Sequence, residues 1–201
     1  MARYGMLIDM SKCVGCMACT IACKVENGTG PGIFWNIVKD QEFGEYPNVK
    51  RIFLPIQCAH CDEPPCVDVC PSGASYKRDD GIVLVDYDKC VGCGYCVEAC
   101  PYGIRYLNKN KGGYFGSSLT PYEEAMYADH QIGVAEKCTF CVHRIEKGKL
   151  PLCVETCIGK ARVFGDLDNP ESQISQLIKL KKGKQLREEL KTGPCIYYFV
   201  P

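Results

Sequence analysis

Cys13, Cys16 and Cys19 stand three residues apart and are followed by Cys23; Cys90, Cys93, Cys96 and Cys100 repeat that spacing 77 residues later. Cys58, Cys61, Cys66, Cys70 and Cys138, Cys141, Cys153, Cys157 form two further groups, which brings sixteen of the seventeen cysteines into four fours. Thiols at i, i+3 and i+6 turn toward one point in a tight loop, the arrangement thiolates need to hold a metal centre. A disulfide scaffold scatters its cysteines to tie distant segments together, and here one odd cysteine remains, so that chemistry is set aside. Zinc is the main rival. It needs four ligands and takes two from each of two C-x2-C knuckles, which leaves the third cysteine of the first and third groups without a role.

The C-x2-C-x2-C-x3-C-P run is the bacterial ferredoxin ligand pattern: three thiolates take one face of a 4Fe-4S cubane and the fourth reaches the other cluster of a pair. Pro71 and Pro101 follow Cys70 and Cys100 as the pattern requires, whereas Lys24 follows Cys23 and Ile158 follows Cys157. Four groups predict four 4Fe-4S clusters, and several one-electron centres in one small protein make a wire. Potentials of such centres range over about −700 to +450 mV, set by hydrogen bonds and exposure.

The elements that must position these thiols are also repeated. YGMLIDMSKCVGC aligns with GIVLVDYDKCVGC, matching Leu7 with Leu84, Asp9 with Asp86 and Lys12 with Lys89. PPCVDVC resembles PLCVETC, although four residues separate the second and third cysteines in one group and eleven in the other. The order is A, B, A′, B′, one duplication across the chain. Short apolar runs predict strands at Tyr4 to Ile8, Ile52 to Pro55, Ile82 to Val85, Ile104 to Leu107 and Arg162 to Phe164, with a hairpin turn at Asp79-Asp80-Gly81. Short helices are expected between the middle and last cysteines of groups one and three, with Gly28 and Gly148 as helix stops. Another helix, over about 170 to 180, would begin at Asn169-Pro170. Residues 108–135, rich in Gly, Ser and Tyr, read as an inserted surface loop. The fold class is therefore α+β.

Composition narrows the function classes. With 24 basic and 24 acidic residues nothing points to nucleic acid. No apolar run approaches the roughly 18 residues of a membrane span, and the run before Cys13 is too short for a signal-peptide core. Lys12, Lys24, Lys89, Lys137, Arg144, Lys147, Lys149, Lys160 and Arg162 lie close to cysteines and either offset cluster charge or form a solvated face. His60 and His143 are candidate hydrogen-bond donors or proton relays, with simple packing as the alternative; His130 carries no assignment. Cys195 reads as a buried apolar residue on a terminal strand. GTGPG at 28–32 lies in no nucleotide-binding context, and no nucleophile–base pair is visible, so no catalytic residue is assigned.

RYGMLIDMSKCVGC, GEYPN, LPIQCAHCDEPPCVDVCPSGA, EKCTFCVHRIEKGKLPLCVETC and FGDLDNPESQISQLI together resemble the four-cluster ferredoxin-like subunits of the dimethyl sulfoxide reductase superfamily of molybdopterin enzymes. They are most similar to the electron-transfer subunits of polysulfide, thiosulfate and arsenate reductases. The resemblance covers nearly the whole chain. It implies crosswise ligand sets: Cys13, Cys16 and Cys19 with Cys157; Cys138, Cys141 and Cys153 with Cys23; Cys58, Cys61 and Cys66 with Cys100; and Cys90, Cys93 and Cys96 with Cys70. It implies duplicated bacterial ferredoxin-like domains: an outer pair from residues 1–57 plus 136–165, an inner core at 58–107, the insert at 108–135 and a C-terminal extension at 166–201. The cluster holding Cys13 would lie nearest the catalytic subunit's pterin. Some relatives replace a third-group cysteine by tryptophan and hold a 3Fe-4S centre; here Cys93 is present. Ile158, where many relatives have proline, alters the turn after Cys157.

The implied partners are a catalytic subunit containing molybdenum or tungsten and a membrane quinol-oxidising subunit. The implied location is the periplasmic side of the inner membrane, reached by co-export with the catalytic subunit, with a cytoplasmic complex as the alternative. The leading reading is a non-catalytic electron-transfer subunit. Its alternatives are a subunit of a two-chain aromatic hydroxytransferase or dehydroxylase, a free polyferredoxin, and a zinc-bound structural module.

Overall fold

The computed structural model describes residues 2–109, 112–127 and 130–200. Strand β1 (Tyr4–Asp9) pairs antiparallel with β8 (Arg162–Asp166) and parallel with β10 (Ile196–Phe199), which in turn pairs with β9 (Lys184–Gln185). Met6, Leu7 and Ile8 are fully buried in this sheet, and Ile174 of helix α7 (Gln173–Lys181) packs beneath it. The last strand is thus central to the sheet rather than trailing from it. A ribbon of β2 (Asn36–Phe43) and β3 (Lys50–Gln57) projects outward, its far end exposed on both faces. The hairpin of β4 (Ser75–Lys77) and β5 (Val83–Val85) turns through Asp79-Asp80-Gly81 as the sequence predicts. Strands β6 (Tyr106–Leu107) and β7 (Ala135–Glu136) pair across the insert.

The helices are short where they serve cysteines. Helix α1 (Ala18–Asn27) stops at Gly28, whose left-handed backbone returns its N–H to the Lys24 carbonyl. Helices α2 (Pro65–Asp68), α3 (Tyr95–Glu98) and α6 (Leu152–Glu155) are single turns, each carrying the third cysteine of its group. In the eleven-residue stretch between Cys141 and Cys153, helix α5 (Val142–Ile145) runs out and the chain turns back at Gly148. Arg144 fastens this excursion by bonds to Glu26, Glu155 and the Leu150 carbonyl. The longer B′ group therefore returns its third cysteine to the same kind of position as the shorter B group.

Two expectations change. The helix expected from Asn169-Pro170 starts at Gln173, because Ser172 caps it by accepting the Ser175 N–H, and Pro170 lies in the turn before it. The insert is not structureless: helix α4 (Pro121–Met126) lies within it, opened by a Thr120/Glu123 capping box with Pro121 at the first helical position. Residues 110–111 and 128–129 of the insert lie outside the described residues.

Candidate metal centres

Each cysteine group begins from a loop whose backbone is set by local chemistry. Asp9 accepts hydrogen bonds from the Ser11 N–H and hydroxyl just before Cys13, and its counterpart Asp86 accepts from the N–H groups of Asp88 and Lys89 just before Cys90. Gly15 and Gly92 share a left-handed φ of +66° and +68°, as do Met17 and Gly94 at +60° and +80°. Equivalent residues 77 apart thus repeat the same turn, which explains the repeated phrase in physical terms.

The structure brings the thiols together as four sets. Cys13, Cys16, Cys19 and Cys157 line one pocket with Arg162. Cys23, Cys138, Cys141 and Cys153 line a second, and Cys58, Cys61, Cys66 and Cys100 a third with Arg105. In the fourth, burial and then the neighbouring Cys90, Cys70 and Cys93 push the Cys96 thiol up, against the pull of Arg105. Among the described residues no three His, Cys, Asp or Glu side chains close on one point as a single ion requires.

Burial, reinforced by neighbouring thiols, pushes Cys61 up to about 12 and Cys153 up to about 11, and raises Cys23 and Cys138 as well. Gathering four thiolates at such places requires bound positive charge. Hydrogen-bond donors already face the sulfurs. Cys70 accepts from the Ser75 N–H at 3.4 Å, Cys90 from Ala135 at 3.5 Å, Cys138 from Phe140 at 3.4 Å and Cys157 from Ala161 at 3.2 Å. Arg105 has Nε and Nη1 buried with no hydrogen-bond partner among the described residues, beside the third pocket. Soft sulfur donors in fours, with N–H groups directed at them, fit 4Fe-4S clusters.

The sets form a series. Arg162 spans the first and second, at 3.5 Å from Cys19 Sγ and 3.9 Å from Cys153 Sγ. Cys58 of the third set is an electrostatic neighbour of Cys138 in the second. Arg105 faces Cys66 and Cys58 of the third and Cys96 of the fourth. Cys16 and Cys93, in the two end sets, are the exposed cysteines.

The other candidates resolve into packing. His60 and Phe140 hold the same place in their C-x2-C loops and stack on each other at 3.9 Å between ring centroids. His60 Nδ1 accepts the Val83 N–H, so in the neutral ring its proton sits on the buried Nε2, and burial followed by Lys137 and Arg105 keeps the ring from charging. His143 pairs with Glu26 at the surface. His130 links the insert to helix α1, bonding Glu136 at 2.8 Å and the Asn27 carbonyl at 2.7 Å. The GTGPG segment wraps the Lys24 ammonium, which donates to the carbonyls of Thr29, Gly30 and Ile33. Cys195 is fully buried and its backbone N–H donates to Ala59. Of the cations near cysteines, Lys137 and Arg162 are buried while Lys12, Lys89, Lys147, Lys149 and Lys160 are exposed. Sequence reasoning missed Arg105; the signal available was a C-x4-R spacing at Cys100–Arg105 that recurs at Cys157–Arg162.

A 4Fe-4S dicluster domain matches residues 49–117 and 114–167, and a 4Fe-4S binding domain matches residues 6–26. A selenate reductase subunit of Mesobacillus selenatarsenatis is 45% identical over 98% of this chain and 71% of its own length. The arsenate respiratory reductase iron-sulfur subunit of a Shewanella species is 42% identical over 98% of this chain and 95% of its own. A tetrathionate reductase subunit of Salmonella typhimurium is 42% identical over 98% of this chain and 72% of its own. The chain belongs to the iron–sulfur subunits of the molybdopterin reductases. It is an electron-transfer subunit, and four 4Fe-4S clusters agree with the matched domains and the cysteine count. Membership in this family favours a reductase subunit over a free polyferredoxin or a hydroxytransferase-type subunit. The ferredoxin-like dicluster domains carry mixed helix and strand, as the α+β reading has it. Among the described residues no helix is long and apolar enough to cross a membrane.

Proposed function

We propose that each four-cysteine set holds one 4Fe-4S cluster: Cys13, Cys16, Cys19 and Cys157; Cys23, Cys138, Cys141 and Cys153; Cys58, Cys61, Cys66 and Cys100; Cys70, Cys90, Cys93 and Cys96. The chain relays single electrons along these sets between a molybdopterin catalytic subunit containing Mo or W and a quinol-linked membrane partner. The catalytic chain reduces a sulfur, selenium or arsenic compound, the class to which the similar subunits' names point. The observation that carries this reading is the serial order of the sets, running from exposed Cys16 to exposed Cys93. Exposed apolar residues flank both ends, Val14 and Ile21 at one and Val91 and Tyr95 at the other, as electron entry and exit through docked partners would require. In this reading residues 1–57 with 136–165 form the outer cluster pair and 58–107 the inner pair, and the assembly works on the periplasmic side of the inner membrane, carried there with its catalytic subunit.

Anaerobic purification from the native cells, followed by analysis of iron, molybdenum and tungsten, tests the reading. About 16 iron atoms per chain, four for each cubane, together with about one Mo or W, is the expected result. The same iron without Mo or W would remove the catalytic partner; iron far below that load would remove the ligand assignment.

A further inference from the structure

Arg105 and Arg162 occupy matching places. Each lies five residues beyond the last cysteine of the later group in its pair, after Cys100 and after Cys157. Each is buried, at 3% and 4% exposure, where a guanidinium is stable only beside negative charge or a full set of acceptors. Among the described residues neither has a carboxylate partner. The protein acceptors are neutral: Asn36 Oδ1 at 2.9 Å and Gln57 Oε1 at 3.1 Å for Arg162, and Ser75 Oγ at 2.8 Å for Arg105. The remaining neighbours are sulfur. Arg162 reaches Cys19 and Cys153, the third cysteines of groups one and four; Arg105 faces Cys66 and Cys96, the third cysteines of groups two and three. Each arginine thus stands between the third cysteines of two groups, and Arg105 also faces Cys58 of the same set as Cys66.

We propose that Arg105 and Arg162 are paired positioning residues that raise the reduction potentials of the two clusters on either side of them, each guanidinium serving one pair and not the other. The inference rests on the ligand sets proposed above. Four thiolates on an oxidised 4Fe-4S core leave a net charge of about −2, and the one electron taken up from a mediator or partner makes it about −3. A fixed positive charge between two such sites favours the more negative state of both. At the effective dielectric of about 20 that suits buried sites, a full charge a few ångströms from sulfur is ample for a tenfold effect.

The test uses the full chain purified with its clusters, in four variants: Arg105→Gln, Arg105→Lys, Arg162→Gln and Arg162→Lys. Iron content comes first, then an EPR-monitored redox titration. Each Gln variant at full iron load should shift two of the four clusters toward the oxidised form by tenfold or more, which is 59 mV per tenfold for a one-electron couple. The two Gln variants should affect complementary pairs, and the Lys variants should recover most of the shift. Potentials unchanged in the Gln variants, or all four lowered alike, would overturn the proposal. If a Gln variant loses iron, its Lys counterpart decides: iron and potentials restored by Lys support the charge requirement, whereas loss in both assigns a purely structural role and ends the proposal. Wild-type iron far below about 16 per chain would instead refute the ligand sets, so the two failures are distinguishable.

Discussion

Gly92 separates two costs that a glycine substitution usually mixes. Its φ is +68°, and a Cβ built there would sit 2.2 Å from the backbone carbonyl oxygen of Gly133. The left-handed conformation costs a non-glycine residue about 1–2 kcal/mol. The overlap adds a backbone displacement, of the kind that overpacking prices at about 1–3 kcal/mol. Gly92→Ala should therefore destabilise by about 2–5 kcal/mol, the sum of those two ranges. Two neighbours calibrate the sum. Gly94 has φ +80° and nothing within 4 Å of its Cβ, so Gly94→Ala should show the conformational cost alone. At Gly15, the repeat counterpart of Gly92, the nearest atoms a Cβ would meet belong to the Phe53 ring, a side chain rather than backbone. The expected order of loss is Gly94→Ala, then Gly15→Ala, then Gly92→Ala. Anaerobic thermal melts of the loaded chain would read it, at about 2–4 °C per kcal/mol for a chain of this size. Equal losses at Gly92 and Gly94, or a larger loss at Gly15 than at Gly92, would show that the Gly133 contact does not constrain the fourth site.

Cys93→Ser should disturb one cluster and leave the other three, with iron falling from about 16 to no less than about 12 per chain; simultaneous spectroscopic loss of all four would contradict separate ligand sets. Stripping the iron should unfold the chain, because Arg105 and Arg162 would remain buried without their anionic neighbours. At about 3–5 kcal/mol for each uncompensated buried charge, the total matches the whole stability of an ordinary domain; a far-ultraviolet circular dichroism spectrum unchanged by chelation would refute this. Thr120→Ala removes the capping box of helix α4 and should cost about 0.5–2 kcal/mol locally. Faster hydrogen exchange confined to residues 112–127 with all four cluster signals intact is the expected pattern, and altered clusters would show that the insert is coupled to them.

What is legible in the sequence is local. Three cysteines within seven residues define a cradle from one short turn, and the left-handed glycines and aspartate-anchored loops around them repeat because the same turn is built twice. The Asp79-Asp80-Gly81 hairpin belongs to the same class, since its chemistry lies in three adjacent residues. The ribbon's first strand escapes sequence reasoning, because Lys39 to Phe43 are exposed on both faces and show no alternation. The start of helix α7 is displaced from its expected place because two nearby cap signals compete: the Asn169 side chain accepts the Glu171 N–H in a turn, while Ser172 holds the true first turn.

The electrostatic frame is the least legible part, and for a different reason. Near the cysteines nine cations invite the same reading, yet only Lys137 and Arg162 of them are buried, and Arg105, at the same distance from Cys100 as Arg162 is from Cys157, joins them. Burial is decided by which segments close over a side chain. For Arg162 those are Met6 on β1, Asn36 and Gln57 on the ribbon, and two cysteines 143 and 9 residues away. Such a convergence has no signature at one position. It does leave a trace in the repeat: an arginine five residues after the closing cysteine of both pairs, where the earlier groups have Gly28 and Ser75. Ser75 accepts from Arg105, so in the inner pair one group supplies the cation and the other the polar seat for it, whereas in the outer pair Asn36 and Gln57 of the ribbon seat Arg162. A duplicated sequence is thus best read for the positions at which its copies consistently differ, because those positions carry what each pair needs only once.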